Sequence, residues 1–377
     1  MKLMVGTLTR IGGAGIGYVS VKNDKLNLIW SDGSLKDPNW LAKTNSGRWF
    51  AVSSNGTDPK KPGCINELRI TSDRMQIVSS QPTEGAGPCH IAFSEDECFL
   101  VCAQYATGSL AVFPLFNGNL GQCIQLVTHT GNGPHPSRQT MPHMHQVTRI
   151  PTLPHCFCAV DLGIDALVVY EQAVNGMLSE KYRIAVPAGQ GPRHIAYTGN
   201  GRAYLVTEIG NCVYPVMFGK NAGKVVGEGV STLEDVASVN LAAALWITPD
   251  DQGLLVSNRG EGTIVRYTIP SLEKTAVEGA NGIQKFFKIT VPMLIPAFSA
   301  NVSLLLAWGL KVFEVVRATT NGGPTRNATT TMSMYIYNMI FANSKAGYGQ
   351  AAAIVMTVIL LIVSFLVSKF FSTKEVV

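Results

Sequence analysis

The sequence contains no histidine and no cysteine beyond residue 212, although it holds seven histidines and eight cysteines in 377 residues. Its N-terminus has no long apolar run and no small-residue cleavage pattern, so we expect no secretory signal peptide. Without an export signal, eight cysteines indicate reduced thiols rather than a disulfide framework. Cys156 and Cys158 lack a second pair of metal ligands nearby, which favours buried strand residues over a metal site.

Excess charge is also absent from most of the chain. Residues 1–270 hold 21 Lys/Arg and 21 Asp/Glu, whereas residues 271–377 hold 9 and 4, so the whole net charge of +5 lies in the C-terminal part. The basic composition therefore does not predict a nucleic-acid partner. It is typical of positive charge beside apolar, membrane-spanning segments.

A repeated unit occupies the first part of the chain. Residues 90–104 and 194–208 are similar almost position by position, and a Gly-x-Gly-Pro lead-in precedes each of them. Looser copies start near residues 41, 145 and 245, which gives a period of about 50 residues. Short strands and turns at this period predict a β-propeller, whose blades must stack because one blade cannot bury its own faces. A generic β-sandwich is the alternative.

Rotation about the axis of a propeller places equivalent repeat positions in rings. Two rings of polar groups then form a funnel for a small polar ligand. We expect one ring to contain His90, His145 and His194. A second ring is predicted from the residues that end the following strand of each unit, namely Gln104, Asp161, Glu208 and Asn258.

Several motifs carry a more specific resemblance. They are Val5-Gly6-Thr7, the run from Arg138 to His145, Asp161-Leu162-Gly163-Ile164-Asp165, the run from Gly189 to His194, and Ser257-Asn258-Arg259-Gly260. In this order they resemble the seven-bladed lactonases of the 6-phosphogluconolactonase and carboxymuconate-cyclase type over roughly residues 3–270. The resemblance implies a cytoplasmic enzyme that opens a cyclic sugar ester with water, without a metal or a redox cofactor.

The resemblance also implies roles for individual residues. The catalytic positions are His145, Arg193, Glu208 and Arg259, and the substrate-binding positions beside them are His143, His194 and Asn258. A histidine can move a proton, and arginines can hold an anionic group and steady an oxyanion. The expected ligand is a small sugar lactone or sugar acid. Each position also has a structural alternative, such as a simple salt bridge between Arg193 and Glu208.

Beyond residue 270 the pattern changes, and residues 291–310 and 346–368 carry no charge. Two predicted helices, at about 291–316 and 346–368, are long enough to cross a hydrocarbon core of about 30 Å. Lys285 and Lys288 precede the first segment, and Lys369 and Lys374 follow the second. This charge pattern predicts a transmembrane hairpin in the inner (cytoplasmic) membrane, with both flanks in the cytoplasm.

The C-terminal part resembles a second family. The run from Glu278 to Pro292 looks like the end of the cytoplasmic coupling loop of sugar-type ABC-transporter permeases, and the match continues to residue 377. The resemblance implies a loop that docks on an ATPase subunit, beside a second permease. The coupling residues would be Glu278, Gly279, Ala280, Gly282 and Pro292.

The sequence thus predicts an all-β fold, an incomplete seven-bladed β-propeller, followed by an α-helical transmembrane hairpin. We expect the propeller at 1–270, about one blade short, a junction at 271–277 and a permease fragment at 278–377. Because both parts are truncated, a fused or wrongly joined reading frame is one hypothesis and a working bifunctional protein another. For function, we expect a lactonase-like hydrolase with a membrane-bound tail. The alternatives are a transporter component that carries a cytosolic propeller and a propeller that binds a ligand without catalysis.

Overall fold

The computed structural model describes residues 1–22, 25–56, 58, 60–234, 239–279, 301–302, 304–305, 308–309, 312–319 and 330–372. The chain divides into two compact units, Met1–Gly279 and Ala280–Val377. Each unit is treated by itself below.

The described residues of the N-terminal unit form six antiparallel sheets, which are the blades of a propeller. Blade 1 has three strands, blades 2, 3, 4 and 6 have four, and blade 5 has five. Blade 1 consists of β1 (Lys2–Gly6), β2 (Ile16–Lys22) and β3 (Lys25–Asp32). Blade 2 consists of β4 (Leu41–Lys43), β5 (Trp49–Ser53), β6 (Cys64–Ile70) and β7 (Met75–Pro82). Blade 3 consists of β8 (Pro88–Phe93), β9 (Phe99–Gln104), β10 (Ser109–Pro114) and β11 (Gln125–Thr128). Blade 4 consists of β12 (Met144–Arg149), β13 (Cys156–Asp161), β14 (Ala166–Gln172) and β15 (Leu178–Ala185). Blade 5 consists of β16 (Pro192–Tyr197), β17 (Ala203–Thr207), β18 (Cys212–Phe218), β19 (Gly223–Val225) and β20 (Val230–Ser231). Blade 6 consists of β21 (Ala242–Ile247), β22 (Gly253–Asn258), β23 (Thr263–Thr268) and β24 (Lys274–Gly279).

The hydrophobic core lies between neighbouring blades. Between blades 3 and 4, for example, Val101 and Leu110 pack with Val147 and Phe157, and all four are almost fully buried. Strands such as β9 and β13 are buried along their whole length, because a blade covers each of their faces. A strand that is buried on both faces is a continuous apolar run, which explains why these segments show little alternation. The same packing buries Cys156 and Cys158 in β13.

The propeller predicted from the repeat is confirmed as a mostly-β fold, and the blade boundaries are close to those expected. The first strands of blades 2 to 6 begin at residues 41, 88, 144, 192 and 242, where the sequence predicted 41, 90, 145, 194 and 245. These strands contact one another from blade to blade and so surround the axis. The structure adds a blade before residue 41, which the repeat pattern alone did not predict.

The sixth blade continues past the end predicted for the propeller. Strand β24 pairs with β23 in antiparallel register, with Val277 opposite Val265 and Glu278 opposite Ile264. The structure therefore places most of the predicted junction, 271–277, and the predicted coupling residues Glu278 and Gly279 in a blade. Thr275 and Val277 are the β-branched residues of this strand, a type that is enriched in strands. The predicted coupling residues Ala280, Gly282 and Pro292 lie outside the described residues.

The C-terminal unit is helical where it is described. Residues 301–302, 304–305 and 308–309 are helical. The helices with described bounds are α1 (Glu314–Thr319), α2 (Met332–Tyr337), which continues into a π-helical turn (Asn338–Ala342), and α3 (Ala346–Ser372). In the described part of the chain, one segment, Ala346–Leu366 of α3, is long and apolar enough to cross a membrane, with a mean hydropathy of 2.3. Most of the first predicted span, 291–316, lies outside the described residues, so a transmembrane hairpin is not confirmed.

Candidate active site

The candidate site lies where the second strands of the blades end beside the axis. Strand register defines the equivalent positions: Gln104 pairs with Pro88, Thr207 with Pro192 and Asn258 with Ala242. The residue that follows each second strand is therefore Tyr105, Leu162, Glu208 or Arg259, in blades 3 to 6. Three of these four side chains are polar, and they meet in one site because propeller symmetry brings them together.

This register corrects both predicted rings. Asp161 pairs with Met144, so Thr207 and not Glu208 is the blade-5 equivalent of Gln104, Asp161 and Asn258. In the first strands, His90, Gln146 and His194 share one position, and His145 shares the other with Cys89 and Arg193. The prediction shifted His145 and Glu208 by one residue. In a strand, one residue turns a side chain to the opposite face.

Glu208 is the centre of the site. Its carboxylate is 1% exposed and contacts the guanidinium groups of three arginines. Oε2 accepts a hydrogen bond from Nε of Arg193 at 2.7 Å and lies 2.6 Å from Nη2 of Arg259, and Oε1 accepts a hydrogen bond from Nη2 of Arg138. We call these four residues the arginine–glutamate cluster. One carboxylate and three guanidiniums leave a formal charge of +2, which favours an anionic ligand.

One strand, two strand ends and a loop supply the four residues of this cluster. Arg193 lies in β16, Glu208 follows β17 in the same blade, and Arg259 follows β22 in blade 6. Arg138 comes from the long loop between β11 and β12. Burial lowers the pKa of Arg193 although Glu208 is beside it, and the nearby charge of Arg259 acts in the same direction as burial.

Three histidines pack beside the cluster. The ring of His194 lies 5.3 Å from that of His145 and 6.1 Å from that of His90, and Trp40 covers His90 at 3.8 Å, all measured between centroids. We call His90, His145 and His194 the histidine cluster. In the part of the chain that the structure describes, Nδ1 of His90, Nδ1 of His145 and Nε1 of Trp40 are buried without a hydrogen-bond partner. An unpaired buried polar atom is costly, so each one needs an explanation, of which a catalytic role is one.

The histidine cluster is held in its neutral form. Burial lowers the pKa of His90 to about 3. Burial and the charge of Arg193 also lower the pKa of His145 and of His194 well below the usual value. His145 Nε2 lies 3.8 Å from Oε2 of Glu208. A neutral imidazole beside a carboxylate has one ring nitrogen that can accept a proton.

His143 lies at the edge of the site and packs on Tyr105. The two rings stack at 4.5 Å between centroids, and Nδ1 of His143 lies 2.9 Å from the carbonyl oxygen of Tyr105. The backbone N–H of His143 donates to Oδ1 of Asp161 at 2.8 Å. His143 therefore holds the ring of Tyr105 in place at the edge of the site.

Asn258, which was predicted to bind substrate, is buried and makes its hydrogen bonds within the protein. Its amide donates to the carbonyl oxygen of Thr232 at 2.7 Å and accepts from Nδ2 of Asn240 at 2.9 Å. These contacts hold the loops that precede blade 6. The structure brings together the other predicted site residues, His143, His145, Arg193, His194, Glu208 and Arg259.

The structure adds three residues to the predicted site: Arg138, Tyr105 and Trp40. Arg138 starts the motif that ends at His145, but its sequence position gives no sign that it reaches Glu208, 70 residues away. Tyr105 occupies the repeat position of Glu208, which a correct register would have identified. Among the described residues, no group of three or more His, Cys, Asp or Glu side chains is arranged to hold a metal ion.

The fold is a β-propeller, and its arginine–glutamate cluster lies beside three neutral histidines at the ends of strands from neighbouring blades. Residues 2–281 match the family of seven-bladed β-propeller lactonases. The chain belongs to this family. Its described residues form six blades, whereas the family has seven.

Individual relatives agree with this assignment. The chain is 29% identical over 277 residues to the 6-phosphogluconolactonase of Bacillus subtilis, covering 70% of this chain and 76% of that protein. The periplasmic gluconolactonase of Pseudomonas aeruginosa is similar in structure, with a TM-score of 0.68 and 25% identity over 74% of this chain and 83% of that one. A putative 6-phosphogluconolactonase from Bacteroides fragilis shares the fold, with a TM-score of 0.65 and 24% identity over 74% and 81% of the two chains.

Proposed function

We propose that this protein is a lactonase that hydrolyses a cyclic sugar ester. The observation that carries the proposal is the contact of Glu208 with three arginines beside the neutral ring of His145. This arrangement offers a proton acceptor and several cationic donors within one small volume. Family membership and the relatives named above support the same class of reaction.

In the proposed reaction, His145 accepts a proton from water, and the water oxygen attacks the carbonyl carbon of the lactone. Arg193 and Arg259 stabilise the oxyanion of the tetrahedral intermediate by donating N–H groups. The bond between the carbonyl carbon and the ring oxygen then breaks. The protonated His145 returns its proton to that oxygen, which gives the open hydroxy acid. Glu208 orients the two arginines and stabilises the imidazolium.

Hydrolysis of 6-phosphogluconolactone and of glucono-δ-lactone by the purified full chain tests this proposal. We expect turnover above the spontaneous rate, and a loss of at least 100-fold in kcat for His145→Gln, the range of general-base catalysis. His155→Gln is the matched control, because His155 is exposed at the opposite end of its blade. Turnover that is equal in wild type and His145→Gln would contradict the mechanism. Ligand binding without any turnover would favour a binding propeller.

We also propose that α3 attaches the chain to a membrane. The segment Ala346–Leu366 has the length and apolar character for this role. The resemblance of residues 278–377 to ABC permeases supports the inner membrane as the location and an ATPase subunit and a second permease as partners. In this proposal, the lactonase reaction takes place in the N-terminal unit, and α3 serves only as the attachment.

Fractionation of cells that express the full chain tests the membrane proposal. We expect the protein in the membrane fraction after carbonate washing. The double variant Ile359→Arg/Ile362→Arg places two charges in the middle of α3, at a cost of about 2.5–3.5 kcal/mol each in a bilayer, and should release it. Tyr348→Arg is the control, because it places a charge in the first turn of α3 and not in its middle. Recovery of the double variant and wild type in the same fraction would contradict the proposal, and co-purification of an ATPase subunit tests the transporter partners.

A further inference from the structure

The three arginines of the arginine–glutamate cluster differ in how much of their side chains reaches solvent. The side chain of Arg193 is 14% exposed, whereas those of Arg138 and Arg259 are 31% and 48% exposed. Arg193 therefore lies at the floor of the site, and Arg138 and Arg259 lie at its rim. A ligand that enters from solvent meets the two rim arginines first.

The loop that carries Arg138 has a defined conformation. The backbone N–H of Arg138 donates to Nδ1 of His135 at 3.2 Å, and the backbone N–H of His135 donates to Oε1 of Gln139 at 3.0 Å. Gln139 is fully buried, and its Nε2 donates to the carbonyl oxygen of Leu162 at 2.8 Å. These bonds tie the loop to blade 4, so the start of the Arg138 side chain is fixed relative to the site.

The guanidinium of Arg138 is also held at its tip. Nη2 contacts Oε1 of Glu208 and lies 3.3 Å from the hydroxyl oxygen of Tyr105, which accepts a hydrogen bond from it. The ring of Tyr105 is fixed in turn by stacking on His143. In the part of the chain that the structure describes, both contacts use Nη2, which leaves the N–H groups of Nε and Nη1 to donate to a ligand.

Charge determines which ligand group fits. The arginine–glutamate cluster has a formal charge of +2, and the histidine cluster adds none because its rings are neutral. A phosphate monoester carries about −1.5 to −2 near neutral pH and has three acceptor oxygens. It balances this charge more completely than a carboxylate does. The planar fork of arginine suits two oxygens of one phosphate.

We propose that Arg138 is a specificity-determining residue, which binds a phosphate group of the substrate while Tyr105 and Glu208 hold its guanidinium in place. This inference rests on the proposed lactonase function. Arg138 acts on substrate recognition and takes no part in proton transfer. Because Arg138 also contacts Glu208, its removal should lower the use of both kinds of lactone, but it should lower the use of phosphorylated lactones much more.

The test compares two substrates that differ in one phosphate, 6-phosphogluconolactone and glucono-δ-lactone, using the full chain. For Arg138→Gln we expect KM for the phosphorylated lactone to rise about 10- to 100-fold, the range for the loss of a charged hydrogen bond. We expect any loss of kcat/KM for the neutral lactone to be at least about tenfold smaller than the loss for the phosphorylated lactone. Arg138→Lys keeps the charge without the fork and should be intermediate.

Arg202→Gln is the matched control, because it removes an exposed arginine from the turn between β16 and β17, at the end of the blade opposite Glu208. Its kinetics should equal those of wild type with both lactones. Equal losses with both lactones in Arg138→Gln would overturn the proposal, and so would no loss with either.

A binding measurement separates this proposal from the lactonase function. Calorimetry with 6-phosphogluconate and with gluconate should show tighter binding of the phosphorylated acid by wild type, and loss of that preference in Arg138→Gln. If wild type keeps the preference without hydrolysing any lactone, the proposed function is wrong and the role of Arg138 stands. If wild type hydrolyses lactones but binds both acids equally, the role of Arg138 is wrong.

Discussion

Nε2 of His145 lies 3.8 Å from Oε2 of Glu208, although the two residues belong to different blades. His145 comes from the first strand of blade 4, and Glu208 follows the second strand of blade 5. Arg259, from blade 6, contacts the same oxygen. The candidate site is therefore a product of the stacking of blades, and any loss of that stacking separates its charges.

The first prediction concerns Glu208→Gln. The substitution leaves three guanidiniums facing one another without their anion, and Arg193 is mostly buried. We expect a loss of about 3 kcal/mol in the free energy of unfolding, as when one partner of a buried ion pair is removed. Urea unfolding measures this loss. Glu228→Gln, at an exposed position, is the control.

An added anion sharpens this prediction. Phosphate should stabilise Glu208→Gln more than it stabilises wild type, because the variant has a larger positive charge in the site. An equal effect of phosphate on both proteins would show that the three arginines do not share one carboxylate in solution.

The second prediction concerns the dependence of activity on pH. Burial and the charge of Arg193 hold the pKa of His145 well below its usual value. The ring therefore stays neutral, and able to accept a proton, at pH values at which an exposed histidine is already charged. We expect kcat/KM for a lactone to stay constant from about pH 7.5 down to below about 6.5, the ordinary pKa of histidine.

Arg193→Gln tests the cause of this shift. Removing a positive charge makes protonation of His145 easier, so the acid limb of kcat/KM should move to higher pH in the variant, apart from any loss of rate. Arg202→Gln should leave the profile unchanged. An acid limb near pH 6.5 in wild type would contradict the neutral state of His145.

The third prediction links the histidine cluster to stability. The pKa of His90 is about 3 in the folded protein, because the ring is buried, against about 6.5 when it is unfolded. Between these values the unfolded chain binds a proton that the folded chain does not. The contribution of His90 is therefore complete above about pH 6.5 and is lost as the pH falls towards 3, by up to about 1.4 kcal/mol per pH unit.

His90→Gln should weaken this dependence. Glutamine fits because Gln146 occupies the same register position in blade 4. Urea unfolding at about pH 7 and about pH 5 should show a smaller difference for the variant than for wild type. His155→Gln, at an exposed position, should keep the dependence of wild type. If His90→Gln also keeps it, His90 is not buried in its neutral form.

The fourth prediction concerns a contact between blades 3 and 4. His129, which follows β11, lies with Nδ1 2.7 Å from Oδ2 of Asp161 and with Nε2 2.7 Å from the hydroxyl of Tyr170. All three side chains are buried. Tyr170→Phe removes one hydrogen bond and leaves a buried ring nitrogen without a partner, which should cost about 1–3 kcal/mol.

Thermal unfolding of Tyr170→Phe measures this cost, and lactone kinetics should remain unchanged. Tyr182→Phe is the matched control, because its hydroxyl bonds the carbonyl oxygen of Gly219 in an exposed setting and its loss should cost less. Equal destabilisation in the two variants would show that the buried contact does not hold the blades together.

The repeat was predictable from sequence because each blade repeats its apolar strands and turns. The positions of His90 and His194 relative to their strands agree with the structure. His145 was placed one residue out, because it looks like its counterparts but follows Met144, which occupies the position of Pro88 and Pro192. Only backbone pairing reveals which residue lies opposite which.

By itself, the sequence determined the propeller, the resemblance to lactonases and most of the residues at the site, since these depend on local patterns that recur from blade to blade. Tertiary structure decided that Arg138 and Tyr105 join Glu208 and that the blade runs to Gly279. It also decided that Asn258 bonds within the protein. These features depend on burial and on contacts between segments that are far apart in the chain. The spacing of residues along the sequence predicts neither of them.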